Sequence, residues 1–161
     1  MWIDEKDARA FNSAFSAART IAIAILGTLP FYALLVEILR SRPDFYRGWA
    51  SVWGHPFWRY GAYAAAAASV VLGRLIHKGL LKRSAQGDRA TGARLLLCAS
   101  VFAMAFSEVP AGLGFGLFLL GGFNRDFYNL LLVSAVLGFI YVPRRTAWES
   151  HLRDERGGCP F

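Results

Sequence analysis

Apolar residues along this chain are gathered into long blocks, without the three-to-four-residue alternation that marks a soluble amphipathic helix. Four blocks stand out: Ala18 to Leu39, Trp58 to Ile76, Ala93 to Gly121 and Phe127 to Val142. A helix needs about 20 mostly apolar residues to cross a hydrocarbon core of roughly 30 Å. The pattern therefore predicts an all-α integral membrane protein with four transmembrane helices. They form a single membrane domain spanning residues 1–161, with cytoplasmic tails at 1–17 and 143–161. The second block is rich in alanine, and its charges, Arg59 and Arg74, lie towards its ends, where long side chains can snorkel to the interface.

Charge decides which way the helices face. With four crossings, both tails and the middle loop share one side. That side carries Lys6, Arg9, Arg19, Arg74, Lys78, Lys82, Arg83, Arg89, Arg94, Arg144, Arg145, Arg153 and Arg156, thirteen of the 18 basic residues. Arg40, Arg42, Arg47, Arg59 and Arg125 fall on the other. The positive-inside rule then places both termini in the cytoplasm, in a plasma membrane or a prokaryotic inner membrane. The same bias assigns the net charge of +7 to topology and anionic lipid, so no nucleic-acid partner is expected. Residues 1–9 mix acids and bases and no A-x-A site follows the first block, so that block is expected to be retained as a helix and not cleaved as a signal peptide. Beyond it, the loop "SRPDFYRGWASVWGHPFWRY" spaces Trp49, Trp53 and Trp58 among small and polar residues, the composition of an interfacial aromatic belt.

Two further patterns bear on packing. "RPDFY" at Arg42 to Tyr46 recurs as "NRDFY" at Asn124 to Tyr128, each following a Leu-Pro or Val-Pro step at a similar distance, which suggests two tandem helical hairpins. In that alignment Thr28 falls opposite Glu108. Small residues also recur every four positions at Gly61, Ala65, Ser69 and Gly73, and again at Gly112 and Gly116 with Gly114 between. Helices in lipid associate largely through such close backbone approach, so the second and third helices are expected to pack tightly, within the chain or between copies.

Candidate chemistry centres on Glu108, set in "FAMAFSEVPAGLGFGLFLLGG". A charge at the bilayer centre costs roughly 2.5 to 3.5 kcal/mol even on lenient scales. Burial therefore favours the protonated form, the form a proton carrier needs. Pro110 lacks an N–H and leaves the Phe106 carbonyl without its helical partner. That carbonyl and Ser107 are the expected hydrogen-bond partners of the Glu108 carboxyl. A buried acid of this kind serves proton or cation handling, or it pins helices as a neutral group.

The remaining residues exclude more than they add. Cys98 lies inside an apolar block and is expected to pack as a small apolar residue, while Cys159 lies in the tail. His55, His77 and His151 are too dispersed for paired haem ligation. With no nucleophile motif, metal-spaced cluster or phosphate loop, neither an enzyme nor a cofactor is expected, and no metal site.

The alanine and glycine stripe of the second helix, the loop "KRSAQGDRATGAR" and the single acid of the third helix, followed by Ala111 and Gly114, give residues 61–122 a distant resemblance to the proteolipid, or c subunit, hairpin of rotary ATP synthases. The chain departs from that family in having "AYAAAAAS" where the family has a glycine-rich repeat, Gln86-Gly87 in place of Gln-Pro, and flanking helices on both sides. The resemblance implies a proton- or cation-binding carboxylate at Glu108 and side-by-side assembly into an oligomer. Two readings follow: a proton- or cation-handling membrane protein that works as an oligomer, and a non-catalytic accessory or scaffolding subunit of a larger membrane complex. The expected partners are accordingly the lipid bilayer, further copies of the chain, or other membrane subunits.

Overall fold

The computed structural model describes residues 5–42, 56–84 and 89–154. They form five helices: α1 (Glu5–Arg40), α2 (Pro56–Ser84), α3 (Arg89–Gly121), α4 (Asn124–Tyr141) and α5 (Arg145–Asp154). Trp49, Trp53 and Cys159 lie outside the described residues.

Three helices are long and apolar enough to cross a membrane, with spans at Ala8–Arg40, Phe57–Ser84 and Thr91–Gly121. The fourth expected span is shorter than the others. α4 has 18 residues, and its first turn is Asn124, Arg125 and Asp126, so its apolar length falls below that of its neighbours.

α1 runs well past its apolar block. Between Arg19 and Arg40 it covers roughly 32 Å at 1.5 Å per residue, the thickness of one hydrocarbon core. The helix below Arg19 therefore needs another partner, and it presents Phe11, Ala14, Phe15 and Ala18 at helical spacing along one face. That face meets Ala93 and Leu96 of α3 and Trp148 of α5 in a small separate core. Trp148 sets its edge against both rings, 6.0 Å from Phe11 and 5.5 Å from Phe15. The segment expected as an N-terminal tail is thus largely helical, and α5 is folded back onto it.

α3 is the hub. Its contacts with α1 advance together along both chains, from Phe11 beside Ala93 to Thr28 beside Glu108 and Val36 beside Phe118, so the two helices run parallel. α2 and α4 run antiparallel to it: Gly73 meets Phe106 while Ala66 meets Leu117, and Gly114 meets Phe127 while Gly138 approaches Ser107. α1 lies against α3 and secondarily α4, and it makes no comparable interface with α2. The paired units are therefore α2 with α3 and α3 with α4; the first expected hairpin, α1 with α2, is not a packed one. The α3–α4 turn is closed by Gly122 at φ 67°, where its N–H bonds the Phe118 carbonyl at 2.8 Å. A left-handed residue at this position is the usual glycine ending of a helix.

The small-residue stripes behave differently from expectation. Gly73 and Gly114 are the close contacts: a Cβ on Gly73 would lie 2.7 Å from the Phe106 Cβ, and one on Gly114 would lie 3.2 Å from the Phe127 backbone. At Gly61, Gly112 and Gly116 an added Cβ meets nothing within 4 Å. Together with Ala65 they line an open apolar groove of about 380 Å³ between α2 and α3, beside the exposed Phe57 and Trp58. Ser69 turns its hydroxyl back onto the Ala66 carbonyl at 2.7 Å. Cys98 is exposed, so it faces outward from the helix bundle and is not packed inside it. Gly114→Ala and Gly73→Ala are each expected to lower stability by about 1 to 3 kcal/mol through overpacking. Gly112→Ala and Gly116→Ala should leave thermal stability in mild detergent unchanged or slightly raised. Equal losses at all four positions would contradict this division of the glycines.

Candidate intramembrane carboxylate site

Glu108 sits at the middle of α3. Arg94 lies 14 residues before it and Gly121 13 residues after, roughly 20 Å in each direction. Thr28 occupies the matching depth on α1, close to the midpoint between Arg19 and Arg40. The two side chains meet there, with Thr28 Oγ1 2.7 Å from Glu108 Oε1. The Tyr32 hydroxyl, one turn along α1, lies near the same carboxyl. The Tyr32 ring is set in place by Phe115 of α3, with centroids 5.6 Å apart.

Neither expected partner contacts the acid. Ser107 is buried on the α4 side of α3 and donates to the Met104 carbonyl at 2.7 Å, because a helical serine bonds most easily to the preceding turn. Phe106 points its ring at α2 through the gap left by Gly73. Its carbonyl does not receive the carboxyl, which faces α1. Pro110 is fully buried, and the residue after it directs its N–H out of the helix. Ala111 N–H donates to Ser134 Oγ on α4 at 2.8 Å, where a regular helix would direct it to the Ser107 carbonyl. The turn after the proline is thus tied to α4, while the acid beside it is left to α1.

Thr28 is the informative partner. Its hydroxyl also lies 2.7 Å from the Ile25 carbonyl, which can only accept. A hydroxyl carries one proton, so Thr28 cannot donate to both neighbours. With a neutral carboxyl, Glu108 donates to Thr28 and Thr28 donates to Ile25, and every group is satisfied. With a carboxylate, Thr28 turns its proton onto Glu108 and the Ile25 contact is lost. The site has one hydrogen-bond arrangement for each protonation state.

A second acid gives the contrast. Asp126, in the first turn of α4, is buried and receives a two-pronged bond from Arg59 of α2: Nε to Oδ2 at 2.8 Å and Nη2 to Oδ1 at 3.0 Å. Tyr63 adds a third donor at 2.9 Å, and the Arg59 guanidinium lies over the Phe123 ring at 5.4 Å. Nearby, Glu37 of α1 accepts from the Tyr128 hydroxyl and pairs with Arg40 at 3.5 Å. Sequence reading treated Arg59 only as a snorkelling residue and missed both sets. The one hint was the "NRDFY" repeat, which contains Asp126 and Tyr128. Glu108, by contrast, has no basic partner among the described residues, and its neighbours are hydroxyls.

Comparison with protein-family models, with curated proteins and with solved structures gives no match.

Proposed function

We propose that this chain is a small polytopic membrane protein, crossing four times with both termini cytoplasmic, in which Glu108 takes up and releases a proton or a small cation within an oligomer. The observation that carries the reading is the difference between the buried Asp126 and the half-buried Glu108. Asp126 is held by a guanidinium fork, whereas the hydrogen-bonding partner of Glu108 is the Thr28 hydroxyl. Magnitudes favour a balanced site. Placing the charge at mid-membrane costs roughly 2.5 to 3.5 kcal/mol. A hydrogen bond to a charged group returns about 1.5 to 3 kcal/mol, so the Thr28 bond is of the same order as that cost. A carrier needs both forms of the acid, and the Thr28 hydroxyl can pair with either. The likeness of residues 61–122 to the proteolipid hairpin implies the same role for this acid, and no catalytic one.

A fourth crossing by α4 is supported by its antiparallel course along α3 and by the outward-facing Leu132, Val136, Phe139 and Ile140. The thirteen-to-five division of basic residues supports the orientation. Labelling with a carbodiimide, which adds to protonated carboxyls in apolar surroundings, tests the reading. Intact membranes are expected to yield an adduct at Glu108 and none at the arginine-paired Asp126. If peptide mass spectrometry finds Glu108 unmodified, the protonatable-site reading fails. The accessory-subunit reading is favoured by a different observation, the uncovered glycine-lined groove between α2 and α3, which has the shape to receive another helix. Under that reading Glu108 is a neutral pin.

A further inference from the structure

At the end of the bundle where α4 gives way to α5, the surface opens into a second groove, of about 520 Å³. Its lining is of two kinds. Phe15, Ile23 and Leu26 of α1 and Val142 at the end of α4 form an apolar wall, and Arg19 and Arg145, from separate helices, line the same groove. Depth makes this combination meaningful. Arg19 lies nine residues before Thr28, or roughly 14 Å below the level of Glu108, which is the edge of a hydrocarbon core about 30 Å thick. Ile23 and Leu26 lie deeper, inside that core, and Ile23 is 61% exposed. Arg145 is fixed beside α1 because α5 is docked through Trp148 onto Phe11 and Phe15.

We propose that this groove binds one anionic glycerophospholipid, with its phosphate between Arg19 and Arg145 and an acyl chain along Ile23 and Leu26. Guanidinium groups present planar donor forks that match phosphate oxygens, and they are less strongly hydrated than ammonium groups, which suits the edge of the apolar zone. From Arg19, Ile23 and Leu26 run one and two turns towards the bilayer centre, the direction an acyl chain takes from its headgroup. A free phosphate ion would use only the arginines and leave that wall uncovered. The bias of basic residues towards this end of the bundle adds to the attraction for a negative headgroup.

The test is native mass spectrometry of the full chain in mild detergent, titrated with dioleoylphosphatidylglycerol, with dioleoylphosphatidylcholine or with inorganic phosphate. One phosphatidylglycerol should bind saturably and ahead of phosphatidylcholine, and inorganic phosphate should not displace it. Arg19→Gln and Arg145→Gln should each weaken that binding about fivefold, taking about 1 kcal/mol for each basic residue at the surface. Lys82→Gln/Arg83→Gln, which removes comparable charge from α2, should leave it unchanged. Arg19 is an exposed residue in mid-helix, so Arg19→Gln remains a fair test if Arg145→Gln disturbs the docking of α5. Unchanged phosphatidylglycerol binding by Arg19→Gln, equal binding of phosphatidylcholine, or displacement by inorganic phosphate would each overturn the proposal.

Discussion

Liposomes carrying the Glu108→Gln chain are expected to show no proton uptake under an imposed potassium diffusion potential, while liposomes carrying the unaltered chain acidify. Glutamine keeps the shape of the carboxyl and can still accept from Thr28, so the bundle should assemble and melt as before. What it lacks is a proton that can leave. Thr28→Val is the informative companion, since it preserves packing and removes the hydroxyl that switches between Glu108 and the Ile25 carbonyl. With its Thr28 partner gone, the charged form loses about 1.5 to 3 kcal/mol, and uptake should slow by roughly ten- to a hundredfold. A pH-sensitive dye inside the vesicles reads both effects. Flux at the unaltered rate in Glu108→Gln would remove the acid from any transport role, and a normal rate in Thr28→Val would remove the switch.

The second large effect is expected where two helices are held by opposite charges. Arg59→Ala should lower stability by about 2 kcal/mol, and Asp126→Ala by only about 1 kcal/mol. The asymmetry follows from exposure: the Asp126 side chain is 6% exposed and that of Arg59 is 47% exposed. Removing the arginine strands a buried carboxylate with Tyr63 alone. Removing the aspartate leaves a guanidinium that can turn to water. The double variant should therefore be more stable than Arg59→Ala, because no unpaired buried charge remains. Thermal unfolding in mild detergent, followed by the loss of the monodisperse peak, gives the order. If Asp126→Ala proves the more damaging, or the double variant is the worst of the three, the pair does not act in this way.

The apolar blocks were enough to locate the three helices that are long and apolar enough to cross a membrane, and composition alone placed an acid near the middle of one of them. Thr28 was also legible in outline, since the internal repeat set it opposite Glu108. Its contact was not, because an alignment of two helices does not say that they touch. The glycine stripes show the limit most clearly. Periodicity identifies a face, but in a bilayer both a neighbouring helix and a lipid chain are apolar. Gly73 and Gly114 against a helix, and Gly112 and Gly116 against an open groove, therefore look alike in sequence. Ser107 and the Phe106 carbonyl were misassigned for a related reason: the proline freed local groups, and the structure satisfied Ala111 across the interface through Ser134. Arg59 and Asp126 are 67 positions apart, and nothing local marks them as a pair.

The docking of Trp148 onto Phe11 and Phe15 carries a consequence for the order of assembly. Within this sequence α1 is made before α5, so Phe11 and Phe15 wait for the cover of Trp148 until α4 has been completed. Until that segment arrives, the edge stays open and Arg145 is absent from the groove beside Arg19. Closure of this small aromatic core is thus a completion step, with the end of the bundle sealed only once α4 lies along α3.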